Sequence, residues 1–192
     1  VVLITGSLSL NEIVIAQNIP FILLQPLGFL VLFIGGCAEI NRSPFDLMEA
    51  DSELVAGFHT EYSGMKFAMF YLAEYAEAVV LSAIIATLFL GGWRGPLLPP
   101  WFWLIIKIVI VFLVMVWTRT TLPRVRIDQL MTFSWKFLFP LALINLLITA
   151  IQVLAWPEAL PPILILVNFA IMALLVVLWS KFFKLGWGRV QV

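Results

Sequence analysis

Five long apolar stretches, separated by short polar or proline- and glycine-containing connections, make up most of this chain. They cover residues 20–40, 66–90, 101–122, 130–155 and 160–183. Each is about as long as the ~20-residue helix that crosses a bilayer, and only helices and closed barrels satisfy every backbone polar group in lipid. The pattern therefore predicts an all-α, polytopic transmembrane helix bundle of about five spans, forming a single membrane domain over residues 1–192. The apolar run before residue 20 reads as the tail of a preceding span, so we expect the C-terminal part of a longer polypeptide.

Lysine and arginine are divided unevenly between the two sides that alternating spans define. The side with connections 41–65 and 119–129 and the C-terminus holds Arg42, Lys66, Arg119, Arg124, Arg126, Lys181, Lys184 and Arg189. The other side holds only Arg94. Because cytoplasmic connections carry the excess of basic residues, these two connections and the C-terminus are predicted to be cytoplasmic. Lys107 and Lys136 lie inside spans and are expected to snorkel to the interface, although their role is open.

Composition excludes several classes of function. The chain is 63% hydrophobic and 11% charged, whereas soluble domains have about 25% charged residues. One cysteine and one histidine are too few for an iron–sulfur cluster or a bis-histidine haem, and His59 alone predicts no metal site. No glycine-rich phosphate-binding motif is present, and no basic patch indicates nucleic acid as a partner. Any redox centre is therefore expected in other subunits.

Most acidic residues lie between the end of the first predicted span and the middle of the second predicted span. Eight of the eleven lie between residues 39 and 77: Glu39, Asp46, Glu49, Asp51, Glu53, Glu61, Glu74 and Glu77. Ser43 can cap a helix that starts with Pro44, and Asp46 can close a capping box. We therefore predict a short amphipathic cytoplasmic helix over residues 44–56, whose acidic face carries Asp46, Glu49 and Glu53. We call residues 41–65 the acidic loop and residues 119–129 the basic loop.

Glu74 and Glu77 share one face of the second predicted span, two to three turns below Lys66. Ionised groups inside a bilayer are costly, so they predict a functional site. Neighbouring carboxylates of this kind titrate as a coupled set, which can hold and pass protons. The basic loop also offers partners for structural ion pairs, namely Arg119, Arg124 and Arg126. Both interpretations stay open, and Asp51 and Glu61 also fit a merely solvated face.

Two segments of the sequence closely resemble the H subunits of bacterial NADH:quinone oxidoreductase, or respiratory complex I, the counterparts of mitochondrial NADH dehydrogenase subunit 1. The first segment reads EINRSPFDL at 39–47, ELVAGFHTEYSG at 53–64 and FYLAEY at 70–75; the second reads TRTTLPRVRIDQL at 118–130. The span pattern agrees over essentially the whole chain. The resemblance implies that the N-terminal helices of this family precede the present residues.

The resemblance implies a membrane subunit that docks a peripheral redox arm and forms much of the quinone chamber with it. The implied acidic path that couples quinone reduction to proton translocation contains Glu39, Asp46, Glu49, Glu53, Glu61, Glu74 and Tyr75. The implied chamber residues are Arg42, Phe45 and Phe58. The matching residues of the basic loop are Arg119, Arg124, Arg126 and Asp128. Glu77 fits the family pattern less clearly, and its role is open.

The expected activity is shared among subunits. Quinone is the expected substrate, FMN and iron–sulfur clusters are expected only in partner subunits, and the isolated chain is expected to catalyse nothing. Expected partners are the iron–sulfur subunit beside the quinone site, the neighbouring membrane subunits and the lipid of the bacterial plasma (inner) membrane. Our hypothesis is that charge changes on quinone reduction shift the acidic loop and reprotonate its carboxylates.

Three other functions remain open on the sequence. The homologous membrane subunit of an energy-converting hydrogenase or formate hydrogenlyase would dock a hydrogenase and need no quinone. An independent ion transporter would suit the charged residues inside the spans, although no inverted repeat is evident. A structural anchor for the peripheral arm would use the acids only as docking charges.

Overall fold

The computed structural model describes residues 1–42, 44–46, 62–156, 161 and 163–182, and these residues contain helices and connections but no β-strand. The helices are α1 (Val2–Thr5), α2 (Leu10–Ala16), α3 (Phe21–Leu24), α4 (Pro26–Glu39), α5 (Met65–Phe89), α6 (Pro100–Thr121), α7 (Ile127–Phe133), a π-helical turn (Ser134–Leu138), α8 (Phe139–Ala155) and α9 (Ile163–Phe182). This confirms the predicted all-α fold.

Three helical segments are long and apolar enough to cross a membrane: Met65–Phe89, Pro100–Thr121 and the continuous run Ile127–Ala155. Shorter apolar helices cover Pro26–Glu39 and Ile163–Leu178. Prolines stand in the first turns of α4 and α6, where a missing backbone N–H costs nothing. The chain is thus a membrane helical bundle, while the exact five spans stay a prediction.

The first predicted span is not one continuous helix. Its backbone leaves the helical region at Gln25, where φ is −133° and ψ is 62°, between α3 and α4. Pro26 explains the interruption, because a proline disfavours helical geometry in the residue before it. Broken backbone inside an apolar layer needs internal hydrogen-bond partners, and here the side chains of α8 and α9 supply them.

Those partners form a polar network around the interruption. The Gln25 side-chain amide donates to Thr149 Oγ1 at 2.6 Å, and Asn168 Nδ2 donates to the Leu24 carbonyl at 2.5 Å. Gln152 Nε2 donates to Asn168 Oδ1 at 2.6 Å. Gln25, Thr149 and Gln152 are all buried. The network therefore joins α8 and α9 to the point where the first predicted span is interrupted.

A second irregularity is the π-helical turn between α7 and α8. The Phe139 N–H donates to the Ser134 carbonyl, five residues earlier. Pro140 follows in the first turn of α8 and has no N–H to continue the regular helical pattern. The extra residue of a π turn accommodates this local mismatch. Ile127–Ala155 consequently remains one helical run.

Helices α4, α5 and α6 enclose the main hydrophobic core. Its buried members are Phe33, Cys37, Ile40, Phe45, Ala78, Ile85, Val111 and Met115. Helix α4 packs tightly against α5 at Gly36, where a Cβ atom would lie 2.5 Å from Leu81 Cδ2. This glycine therefore sets the spacing of two helices that position the candidate site.

Gly36→Ala should lower the free energy of unfolding by about 1–3 kcal/mol, because an added methyl group overpacks the α4–α5 contact. Gly35→Ala is the matched control, since a Cβ at Gly35 meets no atom within 4 Å. Thermal unfolding of the detergent-solubilised full-length subunit would measure both changes. Leu81→Ala should restore stability to the Gly36 variant, and equal unfolding temperatures for the two alanine variants would contradict this packing.

The predicted helix over residues 44–56 does not begin at Pro44. Residues 44–46 form a turn and an irregular segment, with Phe45 N–H bonded to the Arg42 carbonyl at 2.9 Å. The Pro44 carbonyl accepts from Val125 N–H, and Phe45 packs into the hydrophobic core. Tertiary contacts thus take the groups that a first helical turn would use. The rest of the predicted helix lies outside the described residues.

Candidate functional site

The end of α4 places Arg42 beside the core. Asn41 has a φ of 53°, in the left-handed region that asparagine tolerates better than most residues. Its N–H donates to Ala38 O at 3.3 Å, and Arg42 N–H donates to Cys37 O at 3.2 Å. These two bonds form a Schellman motif, a common helix ending. Local backbone geometry thereby fixes the point from which the Arg42 side chain extends.

Arg42 forms an ion pair with Glu74 of α5. Arg42 Nε lies 3.1 Å from Glu74 Oε1, and the two side chains are 11% and 24% exposed. The Arg42 guanidinium carbon also lies 4.4 Å from the centre of the Tyr75 ring, within the range of a cation–π contact. Arg42 thus meets two consecutive predicted site residues of α5, Glu74 and Tyr75, that are distant from it in the sequence.

The Arg42 guanidinium has a further donor, Nη2, besides the Nε that pairs with Glu74. Its Nη2 atom is buried and has no hydrogen-bond partner among the residues that the structure describes. Buried donors normally have partners, and an orphan one needs an explanation. A guanidinium offers planar, charge-assisted donors that suit carbonyl and carboxylate oxygens. The arrangement can therefore bind an oxygen atom while Nε holds Glu74.

The start of the acidic loop contacts the basic loop directly. Val125 N–H donates to Pro44 O at 3.0 Å, and the Arg124 guanidinium donates to the Asp46 backbone carbonyl. Both bonds are made to backbone atoms, so they fix the path of the chain. The sequence placed both loops on one side of the bundle, and these contacts bring residues 44–46 and 124–125 together at one end.

The remaining basic-loop residues lie at helix ends. Arg119 is exposed in the last turn of α6. Arg126 precedes α7, and its N–H donates to Gln129 Oε1 at 3.3 Å. Asp128 is in the first turn of α7, where the helix dipole favours a negative charge. Arg126 and Asp128 thus lie at the start of the helix that follows the basic loop.

Several other predicted residues are not brought to the ion pair. Glu39 is exposed at the last position of α4, and Glu77 is exposed one turn beyond Glu74. Lys107 Nζ donates to the carbonyls of Gly92 and Arg94 at 2.8 and 2.7 Å. Lys136 lies in the π-helical turn. The predicted residues Glu49, Glu53, Phe58 and Glu61 lie outside the described residues, as do Asp51 and His59.

Comparison with known proteins decides the family. The sequence model of the family described as NADH dehydrogenase matches residues 1–150. The chain belongs to the NADH dehydrogenase family. The H subunit of the NADH-quinone oxidoreductase of Dehalococcoides mccartyi (strain CBDB1) is 62% identical over 192 residues, which are 100% of this chain and 54% of that protein. This confirms the resemblance read from the two motifs.

Two further relatives of this NADH dehydrogenase family member are more distant. The second H subunit of the NADH-quinone oxidoreductase of Syntrophobacter fumaroxidans is 58% identical over 155 residues, 80% of this chain and 47% of the relative. The second H subunit from Geobacter sulfurreducens is 53% identical over 149 residues, 77% of this chain and 45% of the relative. The chain spans about half the length of the relatives it matches.

The family match includes the whole described site. Arg42, Glu74, Tyr75 and Arg124 all fall within residues 1–150. Among the residues that the structure describes, no group of three His, Cys, Asp or Glu side chains is arranged to hold a metal ion. The described part of this site in the NADH dehydrogenase family member contains an arginine, a carboxylate and an aromatic ring. The sequence predicted the arginines of the basic loop, not Arg42, as possible partners of Glu74.

Proposed function

We propose that this chain is part of a membrane subunit of a proton-pumping NADH:quinone oxidoreductase in a bacterial plasma membrane. It forms part of the quinone chamber and of the acidic path that couples quinone reduction to proton translocation. FMN and iron–sulfur clusters reside in partner subunits, and the iron–sulfur subunit beside the chamber delivers the electrons. The names of its relatives support membership of this complex. In this proposal, the acidic and basic loops face the cytoplasm.

The observation that carries the proposal is the Arg42–Glu74 ion pair. It joins the residue that opens the acidic loop to a carboxylate inside a helix long enough to cross the membrane. A guanidinium holds a carboxylate through charge-assisted hydrogen bonds, which need the charged form of the carboxylate. Protonation of Glu74 and the position of Arg42 are therefore linked.

This linkage gives a mechanism for coupling. Quinone reduction consumes two electrons and two protons, so negative charge develops in the chamber until protons arrive. The Nη2 donor of Arg42, which has no partner within the described part of the chain, offers that charge a partner. A negative oxygen near Arg42 competes with the Glu74 carboxylate for the same guanidinium. When the pairing of Glu74 with Arg42 weakens, the carboxylate exchanges a proton along the acidic path. The remaining acids, Glu39, Asp46, Glu49, Glu53 and Glu61, extend the path in this proposal.

Glu74→Gln in the assembled enzyme tests the proposal. The amide keeps the shape and an oxygen acceptor for Arg42 but cannot exchange a proton, so quinone-dependent turnover or the proton yield per NADH should fall severalfold. Glu77→Gln is the matched control, because Glu77 is exposed one turn away and Arg42 is paired with Glu74. NADH:quinone activity and proton uptake into vesicles would measure both variants.

Full turnover and full proton yield in the Glu74 variant would refute the relay role. Loss of assembled complex, with normal turnover in the complex that did form, would instead indicate a structural anchor. An artificial electron acceptor that reacts at the peripheral arm provides the internal reference, since its reduction needs no quinone chamber.

A further inference from the structure

The connection between α5 and α6, residues 90–99, is fastened at its base by two cations. Lys107 Nζ donates to Gly92 O and Arg94 O. Arg94 Nη1 in turn donates to the carbonyls of Ile15 and Gln17 at 3.1 and 2.7 Å. These two cations thus bind backbone oxygens of the chain itself. They hold the connection against α6 and against the end of α2.

The tip of the connection presents apolar side chains to the surroundings. Trp103 Nε1 donates to Pro96 O at 2.8 Å, and a Cβ atom on Gly95 would overlap the Trp103 indole. Leu97 follows with a φ of 70°, a left-handed conformation that is unfavourable for a residue with a Cβ atom. Its side chain is fully exposed, at 104%, and Leu98 is 44% exposed. The exposed leucine side chains are favoured by surroundings that accept apolar surface.

The tip lies at the level of a membrane interface. Helix α6 has 22 residues, or about 33 Å at 1.5 Å per residue, compared with about 30 Å for the hydrocarbon core. Pro100, its first residue, therefore falls close to one boundary of that core. Trp101 is 63% exposed and Phe102 is 39% exposed beside it, and aromatic side chains of this kind concentrate at membrane interfaces.

We propose that Leu97, Leu98 and Trp101 form a lipid anchor that inserts into the leaflet next to the α5–α6 connection. The occupant of this surface is phospholipid, at the boundary between headgroups and acyl chains. Three observations favour lipid: the tip adjoins the exposed apolar surface of α6, the neighbouring cations are bound to backbone oxygens, and the aromatic side chains stand at the right depth. The anchor fixes the depth of the hairpin of α5 and α6, and hence of Glu74.

Depth-dependent fluorescence quenching tests the anchor. A small fluorescent amino acid is incorporated at position 97 of the full-length subunit, and the assembled complex is reconstituted into phosphatidylcholine vesicles carrying nitroxide spin labels near the headgroup end of the acyl chains. Asn18 is the matched control position, because it is polar, exposed and adjacent to the Gln17 carbonyl that holds Arg94.

Quenching by the labelled lipid should be at least about twofold stronger at position 97 than at position 18, because the quencher acts only in the interface. Aqueous iodide should show the reverse order. Stronger iodide quenching at position 97 would overturn the proposal in favour of a water-exposed loop. Protection of position 97 from both quenchers would overturn it in favour of a protein partner.

Discussion

Arg42→Leu should remove most of the quinone-dependent activity and destabilise the protein. Breaking a buried ion pair by removal of one partner costs about 3 kcal/mol, and the Arg42 and Glu74 side chains are largely buried. The change also removes the Nη2 donor and the contact with the Tyr75 ring. Loss of a charge-assisted hydrogen bond to a developing negative charge lowers turnover by about tenfold to a hundredfold.

Two measurements separate stability from function in this variant. Thermal unfolding of the purified complex reports the first, and the ratio of NADH:quinone to NADH:artificial-acceptor activity reports the second. The double variant Arg42→Leu, Glu74→Leu should regain much of the unfolding temperature, because it removes both charges, but it should stay inactive toward quinone. Arg42→Leu with a normal activity ratio would exclude a role of Arg42 in quinone reduction, and a normal proton yield per NADH as well would exclude it from coupling.

Arg124→Ala should give the second-largest loss. The Arg124 guanidinium holds the Asp46 carbonyl next to the Val125–Pro44 bond, so its removal leaves only that backbone bond of the two described contacts between the loops. We expect quinone-dependent turnover to fall by about tenfold, the size expected from one lost hydrogen bond to a charged group. Because Glu74 and Arg42 remain, the unfolding temperature should change less than in Arg42→Leu.

Arg119→Ala is the control for Arg124→Ala. Arg119 is an exposed arginine of the same loop, in the last turn of α6, and exposed charges contribute little to stability. Steady-state turnover with a saturating quinone and the same activity ratio would compare the two variants. Equal turnover losses would mean that the net charge of the basic loop matters, and that its bond to Asp46 does not.

The apolar pattern predicted the helical architecture well because lipid leaves the backbone few alternatives. The starts of α4 and α6 follow from Pro26 and Pro100, which are local signals. The interruption at Gln25 could be predicted in part from the sequence, since a glutamine followed by a proline is unusual inside an apolar run. The hydrogen-bond partners at this interruption could not be predicted, because Thr149 and Asn168 come from distant parts of the chain.

Tertiary contacts explain what local rules missed at the site. The capping signal at Ser43 and Pro44 predicted a helical turn, but bonds from the basic loop and burial of Phe45 take precedence at residues 44–46. The sequence selected Arg42, Glu74 and Tyr75 as site residues through resemblance. It did not pair Arg42 with Glu74, since that pairing depends on the Schellman ending of α4 and on its approach to α5 at Gly36.

Helix α9 lies beyond the 150 residues that the family's sequence model covers, yet it is joined to them by a specific bond. The Leu24 carbonyl is open to Asn168 because the helix around it is broken. A further helix can thus attach to a bundle through a backbone acceptor that is already present. Without such a helix, that carbonyl would need another protein chain as its donor, which makes the Gln25 interruption a natural point for accessory helices to join.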